Sequence, residues 1–395
     1  MSFKELGKGA WEPLLTFHAS LHKDAVHPPY PPLPYSWVES APYAEKKILF
    51  GHLETVQVAL DWLAIDPAFG YQQIANMLSL QQADGLIPGW VACVDGRLHT
   101  SKTSSAPPLW CVFVEDYFQQ AKQIKTLEEC YPKLCRQLRW FEQERSIGAG
   151  FYYLDVMDRV WESGVVEGIR FDSDESLQEG ACLDATAHLH LLYSMAFLWA
   201  KRLNRQEECE WQERAEQLET FIQTKLFCPA CHLFQDEWRV ERQQAPCNSF
   251  ESIWPLVSKA ASPQQAHAYI NEHLLNPRRF LTAHPLASVA LEDPKHELRA
   301  WRGPACNALA YWAARGCYQY GRFAAARLLL EKAINATMEN FAKTRSIWEY
   351  YHPAGILAEE DWEENMPIKN HLGNNPLLAM AGLWVECYNR EVSHA

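Results

Sequence analysis

The sequence lacks the features that mark a membrane protein or a nucleic-acid-binding protein. It has no apolar run long enough for a transmembrane helix, which needs about 18 residues. Its formal net charge is −13, so it lacks the excess of Lys and Arg that binds phosphate backbones or anionic lipids. The N-terminus lacks the apolar stretch of a signal peptide. We therefore expect a cytoplasmic protein that acts on a small-molecule substrate, with no nucleic acid and no membrane as partner.

Dense cysteine patterns are also missing. The 12 cysteines are scattered singly, which favours reduced, buried thiols over a disulfide framework. One segment, Cys228-Pro229-Ala230-Cys231-His232, matches the short pattern for c-type haem attachment. A zinc site at the same cysteines would need further ligands, for which His232 and Cys247 are the candidates. We favour a surface loop with free thiols, and we predict neither a cofactor nor a metal.

Alternating strand patterns are few, and helical periodicity dominates the chain. Only Phe151–Leu154 and Leu233–Gln235 resemble strands, each as part of a short hairpin. Apolar residues elsewhere recur every three or four positions, and short breaks with Gly, Pro or Asp separate the helical runs. These runs cover residues 108–125, 128–145, 183–203, 206–225, 262–275, 304–319 and 321–342. The pattern predicts one closed double ring of helices.

We expect this ring to span residues 44–395, because composition does not change along that stretch and no linker interrupts it. The Pro-rich segment at residues 27–35 cannot be helical, since proline removes hydrogen-bond donors and fixes φ. Residues 1–43 are therefore predicted to form an extended N-terminal arm.

Three segments between helices carry residues suited to chemistry. Residues 161–172 combine two Gly, two Glu, an Asp and an Arg without periodicity, and such loops carry function more often than cores do. Trp301–Pro304 precedes an apolar helix and presents Arg302, which suits binding of a carboxylate or a sugar hydroxyl. Ile347–Gly355 places Glu349 among aromatic residues, where desolvation would raise its pKa and suit it to general-base catalysis. Taken singly, each segment is equally consistent with an ordinary surface loop.

In this order the segments resemble the clan of glycoside hydrolase families 37 and 63, which includes trehalases, processing glucosidases and mannosylglycerate hydrolases. The resemblance covers most of the chain. It rests on Leu80–Pro88, Ser104–Pro108, Trp161–Gly164, Leu183–Ala185, Trp301–Pro304 with Asn307, and Trp348–Pro353. It implies an all-α, six-hairpin (α/α)6 toroid and a trehalase-like role in carbohydrate metabolism.

The resemblance also implies an inverting mechanism with two carboxyl groups. One protonates the glycosidic oxygen and the other activates water, and the two stand about 6.5–9.5 Å apart. By position, Glu349 corresponds to the general base. The acid of the clan falls on Val166, which has no proton to donate, so the neighbouring Glu167 is the predicted displaced acid. Glu162 and Asp172 are the other carboxylates of the loop, and Glu162 is kept as a third catalytic candidate.

Other positions depart from the clan as well. The Asp of its Trp-Asp pair is missing from Phe50–Glu54, and the Gln of its "SQPP" loop is Ala106. Each buried polar substrate group left without a partner costs about 1–3 kcal/mol. Glucoside binding is therefore weakened unless the pocket has been rebuilt. The predicted substrate-binding residues are Phe50, His52, Trp110, Trp161, Arg170, Asp184, Trp301, Arg302, Tyr350 and Tyr351.

We therefore predict an inverting hydrolase of a small soluble α-glycoside, and two alternatives stay open. The first is a repurposed barrel enzyme, such as a cyclase, lyase or isomerase, because 16 Trp, 16 Tyr and 17 Phe could supply ring faces that stabilise a carbocation. The second is a ligand-binding protein that kept the barrel and lost the acid. The sugar and the oligomeric state are not determined by the sequence.

Overall fold

A computed structural model of the chain describes residues 8–42, 47–94, 97–154, 162–165, 167–172, 180–356 and 367–394. For residues 47–50, 52, 94, 171 and 394 it describes the backbone only. Everything below refers to these residues.

Helices make up most of the described chain. They are α1 (Glu12–Asp24), α2 (His52–Ile65), α3 (Pro67–Ser79), α4 (Trp110–Ala121), α5 (Ile124–Glu144), α6 (Leu183–Arg202), α7 (Glu208–Lys225), α8 (Glu237–Glu241), α9 (Trp254–Val257), α10 (Pro263–Tyr269), α11 (Asn307–Gln319), α12 (Phe323–Thr344) and α13 (Leu377–His394). The predicted helical runs are confirmed to within about four residues at their ends, and the run at 262–275 consists of α10 and the π-helical turn Ile270–Leu274 that follows it. None of the described helices is both long and apolar enough to cross a bilayer.

The strands are short and peripheral. They are β1 (Val26–His27), β2 (Trp37–Val38), β3 (Lys47–Gly51), β4 (Trp90–Val94), β5 (Arg97–Thr100), β6 (Ser146–Ile147), β7 (Gly150–Phe151), β8 (Phe227–Cys228) and β9 (Leu233–Phe234). The two predicted hairpins are the antiparallel pairs β6–β7 and β8–β9. The antiparallel sheet β3–β4–β5 was not predicted, because its strands are distant in sequence and lack a clear alternating pattern.

The helices close into a double ring. Helices α2, α4, α6, α9, α11 and α13 form the inner layer, and α13 packs against α2 to complete it. Between α4 and α6 the contact includes the buried rings of Trp110 and Trp199, whose centroids are 6.0 Å apart. The outer helices pair with the inner ones, as in α6–α7 and α11–α12. The predicted closed double ring is therefore confirmed.

Local sequence signals explain where several helices begin. The carboxylate of Asp66 accepts hydrogen bonds from the backbone N–H groups of Ala68 and Phe69, and Pro67 occupies the first turn of α3. Ser262 and Gln265 form a capping box at the start of α10. These caps satisfy backbone donors that the first helical turn leaves free.

The segments that precede the inner helices meet at one mouth of the ring. The backbone N–H of Ser105, before α4, donates to Glu162 in the loop before α6 (2.7 Å). The N–H of Ala308, at the start of α11, donates to the carbonyl of Asn374 before α13 (3.0 Å). The sequence motifs occupy these same segments, so the fold gathers them at one end of the barrel.

The first 43 residues are not uniformly extended. Residues 12–24 form helix α1, which packs against α13, and the indole of Trp11 donates to Asn335 of α12 (2.7 Å). The predicted extended arm is therefore wrong for residues 12–24. Pro13 lies in the first helical turn, where proline is tolerated, and only the later prolines exclude a helix. Extended chain is found in the β1–β2 pair, where Val26 is opposite Val38.

We predict that Gly85→Ala strongly destabilises the protein. Gly85 has φ +108°, and a Cβ at this position would lie 2.2 Å from the carbonyl oxygen of Arg136 in α5. Gly148 is the matched control, because its φ is +57° and no described atom lies within 4 Å of a Cβ built there. We expect Gly85→Ala to lower the free energy of unfolding by about 2–4 kcal/mol and Gly148→Ala by about 1 kcal/mol. Urea denaturation measures both, and equal losses would contradict the proposed clash.

Candidate active site

The loop at residues 162–172 is anchored by Glu162. Its carboxylate is buried and accepts from Arg145 through Nε (2.8 Å) and Nη2 (3.3 Å). It also accepts from the backbone N–H groups of Ser105 and Leu154, both at 2.7 Å. Hydrogen bonds between charged groups, such as those from Arg145, are stronger than neutral ones. Glu162 thereby ties the loop to α5 and to the segment before α4.

Arg302 holds the far end of the same loop. Its guanidinium makes a two-pronged contact with Asp172 (2.8 and 2.7 Å) and donates to Glu297 (3.0 Å). It also donates to the carbonyl oxygen of Glu167 (3.2 Å). The hydrogen bonds from Arg302 lower the pKa of Asp172 despite partial burial. Arg302 is therefore occupied with protein carboxylates.

Glu167, the predicted acid, has a different environment. Its side chain is about half exposed (52%), and a carboxylate oxygen lies 3.6 Å from Nη1 of Arg299. Its backbone has φ +54°, in the left-handed region that is uncommon for Glu. The bond from Arg302 to its carbonyl oxygen fixes this conformation.

Behind the loop lies a buried charge cluster around Arg170. The guanidinium contacts Asp184 (2.8 Å), Asp236 (3.1 Å from Nε) and Glu251 (3.8 Å). Burial alone would lower the pKa of Arg170, but the surrounding carboxylates keep it well above its usual value. Burial raises the pKa of Glu251, which Arg170 opposes. Arg170 and Asp184, both predicted substrate-binding residues, thus bind each other.

Glu349 lies on an irregular segment between α12 and α13. Its backbone N–H donates to Ile368 O (2.9 Å), and the N–H of Ile368 donates to its carboxylate (3.2 Å). The side chain is mostly buried, with 19% exposed. Burial raises the pKa of Glu349, His371 and the Ile368 N–H oppose the rise, and Glu54 adds to it. A partly accessible carboxylate with a raised pKa has the properties of a general base.

Two residues that the sequence analysis did not select complete this cluster. Nε2 of His371 lies 4.0 Å from Glu349 and 3.8 Å from Glu54. Glu54 comes from the first turn of α2 and accepts a short hydrogen bond from the hydroxyl of Ser40. Nothing in the sequence predicts this contact, because residues 54 and 371 are remote in the chain and meet only when α13 closes the ring on α2.

A hydrogen bond to Nδ1 of His371 determines which ring nitrogen carries the proton in the neutral form. The backbone N–H of Asn374 donates to Nδ1 (3.1 Å), so Nδ1 is an acceptor and carries no proton. The proton of the neutral ring must then be on Nε2, the atom that faces Glu54 and Glu349. His371 therefore presents a fixed N–H donor to both carboxylates.

Aromatic residues form one side of the cluster. The ring of Tyr350 meets Trp301 edge-on (5.8 Å between centroids), and Trp301 also packs against Phe250. Both Trp301 and Tyr350 are partly accessible. Tyr351 is buried, stacks on His284 (4.2 Å) and binds Asn375 through its hydroxyl (3.1 Å). Tyr351 therefore helps to hold the segment that carries Glu349 in place.

The remaining predicted site residues fall outside the described cluster. Trp110 is completely buried and donates from its indole to Gln137 (2.7 Å), so it belongs to the core and we do not assign it to the site. Trp161 and Val166 lie outside the described residues, as do the side chains of Phe50 and His52.

The metal position that the sequence analysis considered gains no further ligands among the described residues. Cys228 and Cys231 lie at the turn of hairpin β8–β9, are free thiols, and form no group of three potential ligands among the described residues. Cys182, Asp184 and Asp236 do converge, but Arg170 already occupies both carboxylates. The arrangement at this mouth suits acid–base chemistry by protein side chains.

Comparison with known proteins agrees with this architecture. The sequence profile of the mannosylglycerate hydrolase MGH1-like glycoside hydrolase domain matches residues 54–355. No curated protein matches the chain.

Solved structures show the same fold. The family 63 mannosylglycerate hydrolase of Thermus thermophilus in complex with glucose has a TM-score of 0.74 at 17% identity, covering 94% of this chain and 100% of that one. Its complex with Tris and D-glycerate has a TM-score of 0.73 at 16% sequence identity, with the same coverage of both chains. A rhamnosidase from Klebsiella oxytoca with rhamnose bound has a TM-score of 0.62 at 15% sequence identity, and the match covers 96% of this chain and 64% of the other. The predicted (α/α)6 fold is confirmed.

We predict that Glu162→Gln destabilises the protein by about 3–5 kcal/mol, because it leaves the buried guanidinium of Arg145 without a counter-charge. Urea denaturation measures the loss. Glu213→Gln, at an exposed position on α7, is the control and should change stability by less than about 0.5 kcal/mol. A loss below about 1 kcal/mol for Glu162→Gln would show that this carboxylate does not anchor the loop.

Proposed function

Because the chain belongs to the family of mannosylglycerate hydrolase MGH1-like glycoside hydrolases, we propose that it hydrolyses a small soluble α-glycoside with inversion of configuration. Glu349 is the general base in this proposal. The observation that carries it is the environment of that carboxylate, which is mostly buried, held by the Ile368 N–H and faced by the N–H of His371. A base of this kind removes a proton from water as the water attacks the anomeric carbon.

The raised pKa of Glu349 supports this role. A general base is most effective when its pKa approaches the working pH, and burial moves the pKa of Glu349 upward. The donors around it oppose that shift and keep the ionised form accessible. The same environment limits the number of water molecules that reach the carboxylate, which favours attack by one positioned water.

Polar residues around Glu349 favour a sugar over an apolar substrate. Ala106 and the missing Asp remove two sugar-binding groups of the clan, but Glu54, His371 and Ser40 bring new donors and acceptors. Sugars are recognised through hydroxyl groups that need such partners. A carbocation-forming enzyme would instead enclose its substrate in apolar and aromatic surface. We therefore prefer hydrolysis to the repurposed-enzyme alternative.

We assign the proton donor to Glu167. Glu162 is a poor candidate for the donor because its carboxylate already accepts four hydrogen bonds from Arg145, Ser105 and Leu154. Glu167 is the remaining carboxylate at the tip of the loop, with its backbone fixed by Arg302. The side chain of Glu167 is about half exposed, so we expect weaker acid catalysis than an enclosed carboxylic acid would give.

A hexose joined to a small aglycone is the proposed substrate class. The Thermus mannosylglycerate hydrolase has been solved with glucose and with D-glycerate bound. Molecules of this size match a site built from short segments at one mouth of the barrel.

We predict that Glu349→Gln and Glu167→Gln differ in their substrate dependence. Without its base the enzyme should lose about 10²–10⁴-fold in kcat/KM on every substrate. Without its acid it should lose a similar factor on glucosylglycerate-type substrates, but less than about tenfold on 4-nitrophenyl α-glycosides, whose leaving group needs little protonation. Steady-state kinetics of both variants, with NMR of the first-formed anomer, provide the measurement.

The exposed Glu128 gives a matched control, and Glu128→Gln should retain full activity. Full activity of Glu167→Gln on both substrate types would remove that residue from the mechanism. Full activity of Glu349→Gln would overturn the proposed function.

We also predict that His371 controls the acid limb of the pH–rate profile. His371→Asn keeps an acceptor for the Asn374 N–H and removes the donor facing Glu349, whereas His371→Gln can still place a donor near the Nε2 position. His371 lowers the pKa of Glu349, so its loss should raise that pKa and move the acid limb of kcat/KM to higher pH. We expect a shift of about 0.5–1 unit for His371→Asn and a smaller one for His371→Gln.

The exposed His267→Asn serves as control for this experiment. An unchanged acid limb in His371→Asn, with activity retained, would show that His371 does not act on the base.

A further inference from the structure

Three buried side chains converge where α1 meets α2, apart from the candidate active site. Nε2 of His18 and Nε2 of His22 lie 2.5 and 3.0 Å from the same oxygen, Oδ2 of Asp61. The two Nε2 atoms are 3.2 Å from each other. All three side chains have no solvent exposure.

The sequence places these atoms together by helix geometry. His18 and His22 are four residues apart on α1 and therefore share one face. Asp61 points toward them from α2, and its other oxygen, Oδ1, accepts the backbone N–H of Ala379 in the first turn of α13 (2.8 Å). That bond directs Oδ2 at the two histidines.

No placement of protons on the two imidazole rings gives every nitrogen a good hydrogen bond. If both Nε2 atoms carry protons, two N–H groups directed at one oxygen stand only 3.2 Å apart. If one Nε2 gives up its proton, that proton moves to Nδ1, and neither Nδ1 has a hydrogen-bond partner within the described structure. A cation at the centre of the triangle would use both nitrogen lone pairs and the carboxylate at once.

We propose that His18, His22 and Asp61 bind a divalent transition-metal ion, with Zn²⁺ as the representative ion. Two imidazoles and one carboxylate are ligands that Zn²⁺ prefers. Bonds of about 2.0–2.1 Å in a tetrahedron place the ligand atoms about 3.3–3.4 Å apart. The present spacings of 3.2, 3.0 and 2.5 Å require the His18–Asp61 pair to open by less than about 1 Å.

Gln57 is the candidate for a fourth ligand. It lies one turn before Asp61 on α2, so both side chains share a face of that helix. Its side chain is buried, and within the described chain its Oε1 has no hydrogen-bond partner. A buried carbonyl oxygen without a donor is costly, and coordination of a cation satisfies it.

The site has a structural role in this proposal. It joins the outer helix α1 to the inner helix α2, and through the Ala379 N–H it reaches α13, the helix that closes the ring. Because the ligands are fully buried, the ion must bind before or while α1 docks. Metal binding would then stabilise the closed ring without taking part in catalysis.

The test uses the full-length chain, stripped with a chelator under mildly denaturing conditions and refolded with Zn²⁺ or Co²⁺. We expect one equivalent of metal per chain by elemental analysis, tetrahedral d–d absorption bands from Co²⁺ and a higher melting temperature with Zn²⁺ than without. Asp61→Asn and His22→Asn should each weaken metal binding by at least ~10-fold. His27→Asn, at a partly exposed histidine paired with Glu39, should bind metal as the parent does.

All variants are also made with Cys228 and Cys231 replaced by Ser, so that metal held by the hairpin thiols is excluded. If the variants unfold, nuclear magnetic resonance of the parent's imidazole nitrogens still tests the site, since metal coordination at Nε2 changes the nitrogen shifts of the two ligating rings. Stoichiometric uptake that depends on His22 and Asp61 supports the proposal. Uptake far below one equivalent, or uptake with thiolate-to-cobalt charge-transfer bands that vanishes with the cysteines, overturns it.

Discussion

The buried guanidinium of Arg170 is the interaction on which the candidate active site depends. It connects the loop before α6 to Asp184 in α6, Asp236 before α8 and Glu251 before α9. Burying these charges costs more free energy than a comparable apolar cluster would, so their contribution to stability is small. Their effect is on geometry, because one guanidinium contacts carboxylates from three other segments at the same time. The loop that carries Glu162 and Glu167 is built on that arrangement.

The carboxylates at this mouth fall into two physical groups. Glu162, Asp172 and Asp184 are each paired with an arginine, and this pairing lowers the pKa of Asp172. Within the described chain Glu349 has no ion pair with an arginine; its carboxylate accepts from the backbone N–H of Ile368, lies 4.0 Å from the ring of His371 and also interacts with Tyr350 and Glu54. Burial therefore dominates its pKa, whereas hydrogen bonds dominate that of Asp172. Among the described residues, the arginine-paired carboxylates therefore hold segments together, whereas the environment of Glu349 fits its proposed role as general base.

The sequence was sufficient to predict the ring and the family, since both depend on local periodicity or on short contiguous segments, whereas the role of Glu349 stays a prediction. It was not sufficient for contacts between remote segments. Glu54 and His371 meet because α13 closes on α2, and His18 meets Asp61 because α1 docks on the same helix. Trp110 resembled a ligand-binding aromatic residue but is enclosed by the core. Burial of this kind depends on packing among several helices, which one segment does not encode.

The contacts of Glu167 and Glu349 concern how the protein would hydrolyse a glycoside although Val166 stands at the position of the clan's general acid. A glycosidic bond with a poor leaving group needs a proton at its oxygen, whereas a better leaving group departs with less assistance. In the proposed mechanism Glu167, about half exposed beside Arg299, is the proton donor and Glu349 activates water. A half-exposed donor gives less assistance than an enclosed one, so under this mechanism the rate depends on the aglycone as well as on the sugar. Glycosides with a better leaving group are then expected to react faster than glucosylglycerate-type substrates.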